Sequence, residues 1–120
     1  MLQRLRAAEA GSPDREICGL LLGSDGRIDS IHAATNVAAD PRDSFEVDPA
    51  VLIAAYRAER AGGPRVLGHY HSHPHGVAEP SARDEAAAEP GKLWLILAGG
   101  EARLWRAAEG GFIASALVAG

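Results

Sequence analysis

The segment Arg65-Val66-Leu67-Gly68-His69-Tyr70-His71-Ser72-His73-Pro74 decides how this chain is read. Arg65 to His71 reads as a strand that runs straight into the histidine cluster, and Pro74, which lacks an N–H, ends its ladder. Four of the five histidines fall between His69 and His75. Side chains two apart on a strand share a face, roughly 6.5–7 Å apart along it. His71 and His73 can therefore lean onto one metal ion at about 2.0–2.1 Å from each nitrogen. Asp84, eleven residues beyond His73 in Pro80-Ser81-Ala82-Arg83-Asp84, can add a carboxylate from the next element. Three protein ligands with a fourth position open is the catalytic zinc arrangement rather than the closed structural one.

Working outward, Gly62-Gly63-Pro64 closes a helix that starts at Asp48-Pro49, an N-cap followed by proline in the first helical position. Val51, Leu52, Ala55 and Tyr56 give that helix one apolar face. Upstream, Leu2, Leu5 and Ala8 place a short helix over 2–10, ended by Gly11-Ser12-Pro13. Ile17 to Leu22 reads as a buried strand, followed by a turn at Gly23-Ser24-Asp25-Gly26 and a second strand over Arg27–Ala34. Ser44 to Val47 is expected as a brief third strand. Downstream, Ser81 opens a short helix through about Ala88. Leu93–Leu97 is apolar on both faces, as in a central strand, and further strands are expected near 102–107 and 112–118. Helices and strands alternate early, and three strands close the chain. The expected fold is a layered α/β domain with a mixed sheet.

Length and composition narrow the function classes. The 120 residues suit one domain over 1–120 with a single sizeable core. No apolar run approaches the 18 or so residues needed to span a bilayer, and Met1–Arg6 lacks the apolar stretch of a secretory signal. A cytoplasmic location is the expectation, with no membrane partner. The 12 basic and 16 acidic residues give a net charge of −4, and the arginines form no run, which argues against nucleic acid as a partner. Cys18 is the only cysteine. A single thiol rules out an internal disulfide, a structural zinc site built on two or four cysteines, and the Pro-Cys-x-x-Cys ligands of a zinc deaminase.

A hydrolytic zinc site also needs a base. Glu16 is the best candidate, because a charge at the start of a buried apolar strand is costly without a partner. Ser81-x-x-Asp84 is a helix-capping pattern as well, and a capped helix start is a rigid place from which to present a hydroxyl and a carboxylate. His69 shares the face of His71 and His73, one step further away, and is expected to line the substrate groove or support the ligands. His75 is expected in a solvated loop, Cys18 as a small buried side chain, and His32 and both tryptophans in packing.

Together, Glu16-x-x-Gly19, Gly68-x-Tyr70-His71-Ser72-His73-Pro74 and Pro80-Ser81-x-x-Asp84 resemble the motif of the JAMM (MPN-plus) metalloproteases. The resemblance covers nearly the whole chain. It implies a three-layer cytidine-deaminase-like fold and a zinc-dependent peptidase or isopeptidase acting on the C-terminal tail of ubiquitin or ubiquitin-like proteins. It also implies one zinc held by His71, His73 and Asp84, with Glu16 as general base and Ser81 helping to hold the oxyanion. Only 55 positions separate Glu16 from His71, which leaves no room for the long insertions of the eukaryotic deubiquitinases. The chain looks more like the minimal stand-alone prokaryotic members, which act on small ubiquitin-like sulfur carriers. Cleavage after a Gly-Gly tail is therefore expected, with the tail extended and paired to a strand edge. A homodimer is compatible with this reading. The alternatives are a non-catalytic MPN-type interaction module and a deubiquitinase-like isopeptidase on a true ubiquitin conjugate.

Overall fold

A computed structural model describes residues 2–24 and 27–115. The elements run α1 (Leu2–Ala10), β1 (Cys18–Ser24), β2 (Arg27–Ala34), α2 (Pro49–Arg60), β3 (Arg65–Ser72), α3 (Ala82–Ala87), β4 (Leu93–Ala98), β5 (Glu101–Ala108) and β6 (Gly111–Ser115). Six strands form one sheet in the order β2-β1-β3-β4-β5-β6. All neighbours are antiparallel except β3 and β4, which run parallel and need α3 and its flanking loops as their crossover. The expected mixed sheet is present. Among the described residues no helix is long and apolar enough to cross a membrane.

Strand alternation divides the core into two faces. Leu21, Tyr70, Leu95, Leu97 and Leu104 turn one way and receive Leu5 from α1. Cys18, Leu20 and Val66 turn the other way, toward Val47 and the half-buried Val51, Leu52, Ala55 and Tyr56 of α2. Ile96 and Ala98 extend that second face under Ala78. The outcome is three layers, with α1 on one side of the sheet and α2 on the other. Leu20, Leu21, Leu95 and Leu97 are fully buried, each contributing about 1.5–3 kcal/mol by leaving water.

Two glycines of the quoted motifs are explained by packing. A Cβ at Gly68 would run into the Leu93 backbone across the β3–β4 pair, and one at Gly19 would strike the Tyr70 ring and the His32 carbonyl. Both mark close approaches within the sheet.

Ser44–Val47 departs from expectation. It forms no strand; only an isolated bridge joins Val47 to Asn36. The Asn36 side chain replaces the ladder: its Nδ2 donates to the Ser44 carbonyl at 3.0 Å, and its Oδ1 accepts from Glu46 N–H at 3.1 Å. The helix expected to reach about Ala88 ends at Ala87. Of the strand expected over 112–118, Gly111–Ser115 is β6 and 116–118 lie outside the described residues; so do Asp25 and Gly26 of the expected turn. The two sheet edges, β2 and β6, both lie away from β3. Among the described residues, neither edge strand of this sheet is a direct neighbour of β3.

Candidate metal centre

β3 is the axis of the site. His71 lies near its C-terminal end, wholly buried, and His73 follows where the ladder ends, with its N–H on the Leu97 carbonyl at 2.8 Å. The Glu16–Ile17 segment is clamped to the same strand end. Ser72 N–H donates to the Ile17 carbonyl at 3.1 Å, and Ile17 N–H donates to Ser72 Oγ at 2.9 Å. Asn36 holds the segment from the other side, with Nδ2 donating to the Glu16 carbonyl at 2.9 Å. Asp84 arrives from the first turn of α3. That helix is only six residues long, so its start depends on capping. Ser81 Oγ accepts from Asp84 N–H at 3.1 Å, and Asp84 Oδ2 accepts from Ser81 N–H at 2.9 Å, a complete capping box.

These pieces converge. His71 Nε2 and His73 Nε2 are 2.9 Å apart, and Asp84 Oδ2 is 3.3 Å from the first and 3.2 Å from the second. Two donors at about 2.0–2.1 Å from a tetrahedral ion are about 3.3–3.4 Å apart, so this triangle is close to one face of such a site. His73 Nδ1 donates to the Val77 carbonyl at 2.8 Å, which orients the ring so that Nε2, once it gives up its proton, presents its lone pair to a metal. A carboxylate oxygen of Glu16 and the two imidazoles offer donor atoms within 4.8 Å of one another. Glu16 thus faces the triangle as well. The donor set fits a metal ion.

The electrostatics agree with that use at His71 and Asp84. At His73 burial acts downward, but hydrogen bonds with Asp84 and the Val77 carbonyl outweigh it and raise the imidazole, so a metal must displace a proton there. Burial pushes the Glu16 carboxyl up to about 7, against the opposing pull of His73. Burial also pushes the His71 imidazole below its ordinary value, which keeps it neutral. At Asp84 burial acts upward, but hydrogen bonds from His71 and His73 outweigh it and hold the carboxyl well below the usual range. A neutral imidazole and an ionised carboxylate are the forms that bind metal. A cleft of about 350 Å3 opens over this side, lined by Glu16, Arg42, His73, Val77 and the exposed Ser81 among others.

The structure therefore brings together Glu16, His71, His73, Ser81 and Asp84. His69 stays apart from the donor triangle. It lines a second cavity of about 260 Å3, with Phe45, Trp94 and Asp84, and its Nδ1 is buried without a partner. His75 is exposed at the cleft, and Cys18 is buried beneath α2. Three contributors went unread in the sequence. Asn36 and Ser72 pin Glu16 and Ile17 through contacts 20 and 55 residues distant in sequence. Phe45 stacks on His71 at 4.3 Å between ring centroids and 17° between planes. The tryptophans also do more than pack in isolation: Trp94 meets His71 edge-on at 5.5 Å, and Trp105 Nε1 donates to the Ala78 carbonyl at 3.0 Å, anchoring the loop that carries Val77. None of these roles leaves a local pattern to find.

Residues 1–108 match the family described as prokaryotic homologs of the JAB domain. The chain belongs to the prokaryotic JAB family. Its resemblance to the JAMM (MPN-plus) motif is thereby accounted for. A Haloferax volcanii protein named desampylase is 41% identical to this JAB chain over 99 residues, which are 80% of this chain and 71% of that protein. A Thermus thermophilus protein, a probable TtuB-protein conjugate cleaving protease, is 33% identical over 84 residues, 70% of this chain and 56% of that one. Among solved structures, a Desulfitobacterium hafniense protein superposes with a TM-score of 0.82 at 27% identity, covering 98% of the JAB chain and 86% of its own. A JAB1/MPN domain protein from Archaeoglobus fulgidus shares the fold, with a TM-score of 0.59 at 20% identity over 93% and 88% of the two chains.

Proposed function

We propose that this JAB-family chain is a zinc-dependent peptidase or isopeptidase that cleaves after the C-terminal Gly-Gly of a small ubiquitin-like or sulfur-carrier protein. The observation that carries the reading is the convergence of two imidazoles and a carboxylate in one 2.9–3.3 Å triangle, faced by a buried glutamate and open to a cleft. The names of the two relatives, desampylase and probable TtuB-protein conjugate cleaving protease, support this reading, the second naming the cleavage of a protein conjugate.

His71, His73 and Asp84 would hold the zinc. Bound there, zinc would supply Lewis acidity, polarising the scissile carbonyl and making water acidic enough to ionise near neutral pH. Glu16, with a carboxyl that titrates near 7, is suited to take a proton from the attacking water and return it to the leaving amine. Ser81 Oγ already accepts the Asp84 N–H, so its own O–H remains free to donate to the developing oxyanion. With the sheet edges remote, an extended tail would lie along the loops that line the cleft.

The test sets a small ubiquitin-like protein extended beyond Gly-Gly, and its lysine conjugate, against polyubiquitin. Each is incubated with the zinc-loaded enzyme and with a chelated control. Cleavage of the first two after Gly-Gly, abolished by chelation, with weak or no polyubiquitin cleavage, is the expected result. Efficient polyubiquitin cleavage without carrier processing would overturn the substrate assignment, and undiminished cleavage under chelation would overturn the zinc assignment.

A further inference from the structure

The two candidate imidazoles are held by different means. His73 is fixed through a hydrogen bond from its second nitrogen to the Val77 carbonyl. A metal-ligating histidine ordinarily has such an acceptor, which sets both tautomer and ring orientation. His71 has none: its ring is wholly buried, and its Nδ1 is buried without a partner. The terminal torsion of histidine is intrinsically broad, and without that bond the ring is tethered at Nε2 alone, against Asp84 and His73, through the same nitrogen that a metal would take.

The surroundings supply a second restraint. Phe45 lies nearly parallel to the imidazole, 4.3 Å away, and Trp94 and His73 meet the ring steeply, at 86° and 63°. A flat plate on one face and edges beside it leave rotation about that torsion nowhere to go without a clash. Phe45 is itself held in place. Asn36 donates to the Ser44 carbonyl just before it and accepts from the Glu46 N–H just after it. The same Asn36 amide donates to the Glu16 carbonyl. One clip thus registers the plate against the segment that carries Glu16.

We propose that Phe45 is a positioning residue for His71, its ring face taking the place of the hydrogen-bond acceptor that this imidazole lacks. The inference rests on the reading of His71 as a zinc ligand and is tested so that the two can fail separately. Three variants are made: Phe45→Ala, Phe45→Tyr and Phe45→Leu, the last restoring apolar bulk without a flat face. Zinc affinity is measured by competition with a chromophoric chelator. The His71 ring is followed by proton–nitrogen NMR in the metal-free protein, and metal-free melting temperature controls for packing.

Phe45→Ala and Phe45→Leu are expected to weaken zinc binding by about 10–100-fold, the range seen when support of a ligand is removed. Phe45→Tyr should stay within about 3-fold of wild type. The metal-free His71 ring should change from one set of signals to exchanging ones in Phe45→Ala and Phe45→Leu only. Should Phe45→Ala fail to fold, Phe45→Leu carries the comparison. Zinc affinity and ring signals in Phe45→Leu equal to wild type would overturn the inference. Failure of the wild-type protein to bind zinc would overturn the zinc reading instead, and the metal-free ring signals would still decide the role of Phe45.

Discussion

Glu16 is only 6% exposed, and most of its chemistry follows from that. Glu16→Gln keeps the shape and the backbone bonds but cannot accept a proton. Activity on a cognate tail should fall roughly 10²–10⁴-fold with zinc content unchanged, measured by turnover and elemental analysis on the same sample. Near-wild-type turnover would place the base elsewhere. The same carboxyl makes the metal-free protein pH-sensitive. Its folded value of about 7 lies above the ordinary 4.5, so burial favours the protonated form. The stability it contributes is present in full below about pH 4.5 and is lost as pH rises through 7. With chelator present, wild-type melting temperature should decline from pH 5 to pH 8 more steeply than that of Glu16→Gln; parallel curves would show that the group titrates normally. The zinc assignment has its own residue-level check: one zinc per wild-type chain, and none retained by His71→Ala/His73→Ala. Full zinc occupancy in that double variant would refute the ligand set. That Glu16, His71, His73, Ser81 and Asp84 belong together was legible in their types and spacing, and the structure brings them together. What holds them was not legible. Asn36, Phe45 and Ser72 are ordinary residues whose value lies in partners that only the folded chain brings near.

Among the elements, α3 shows most directly how sequence pattern and chemistry coincide. Its capping box is formed by Ser81 and Asp84, the candidate oxyanion donor and the candidate ligand. Ser81→Ala removes the acceptor for the Asp84 N–H, which typically costs about 1 kcal/mol of stability. It also removes the O–H proposed to donate to the oxyanion. Both effects should appear in one variant: a modest drop in melting temperature, and a fall in kcat of about 10²–10³-fold with KM less changed. Loss of stability with intact kcat would leave Ser81 as a cap only. The pattern that announces α3 is local, as are Asp48-Pro49 at the head of α2 and the apolar run of β4, and all three elements lie where the sequence places them. Ser44–Val47 was misread for a physical reason: a side-chain amide can satisfy a segment's backbone groups as well as a neighbouring strand does, and composition does not distinguish the two. The position of β3 inside the sheet, with no edge strand next to it among the described residues, was equally hidden, because strand order depends on contacts far apart in sequence.

On the scale of the whole molecule, the candidate ligands and base come from three separate stretches: the lead into β1, the end of β3, and α3. The Asp84 carboxylate ties α3 to the central strand through its short contacts with His71 and His73. A bound ion would turn those contacts into a cross-link between the crossover and that strand. Anything that binds the folded state alone stabilises it by mass action, about 2.7 kcal/mol when free ligand is 100 times its Kd. For a domain of this size each kcal/mol corresponds to several degrees, so zinc should raise the melting temperature by roughly 10 °C over the chelated protein. The rise should grow with the logarithm of free zinc and vanish in His71→Ala/His73→Ala. Hydrogen exchange should locate the effect. Protection should increase in residues 73–87, whose backbone leans on the ligands, and change little in α1 and β6, which contribute nothing to the donor set. Uniform protection across the chain would mean that zinc acts on global stability without a local tie. A melting temperature indifferent to zinc would mean that the triangle of donors does not close on an ion at all.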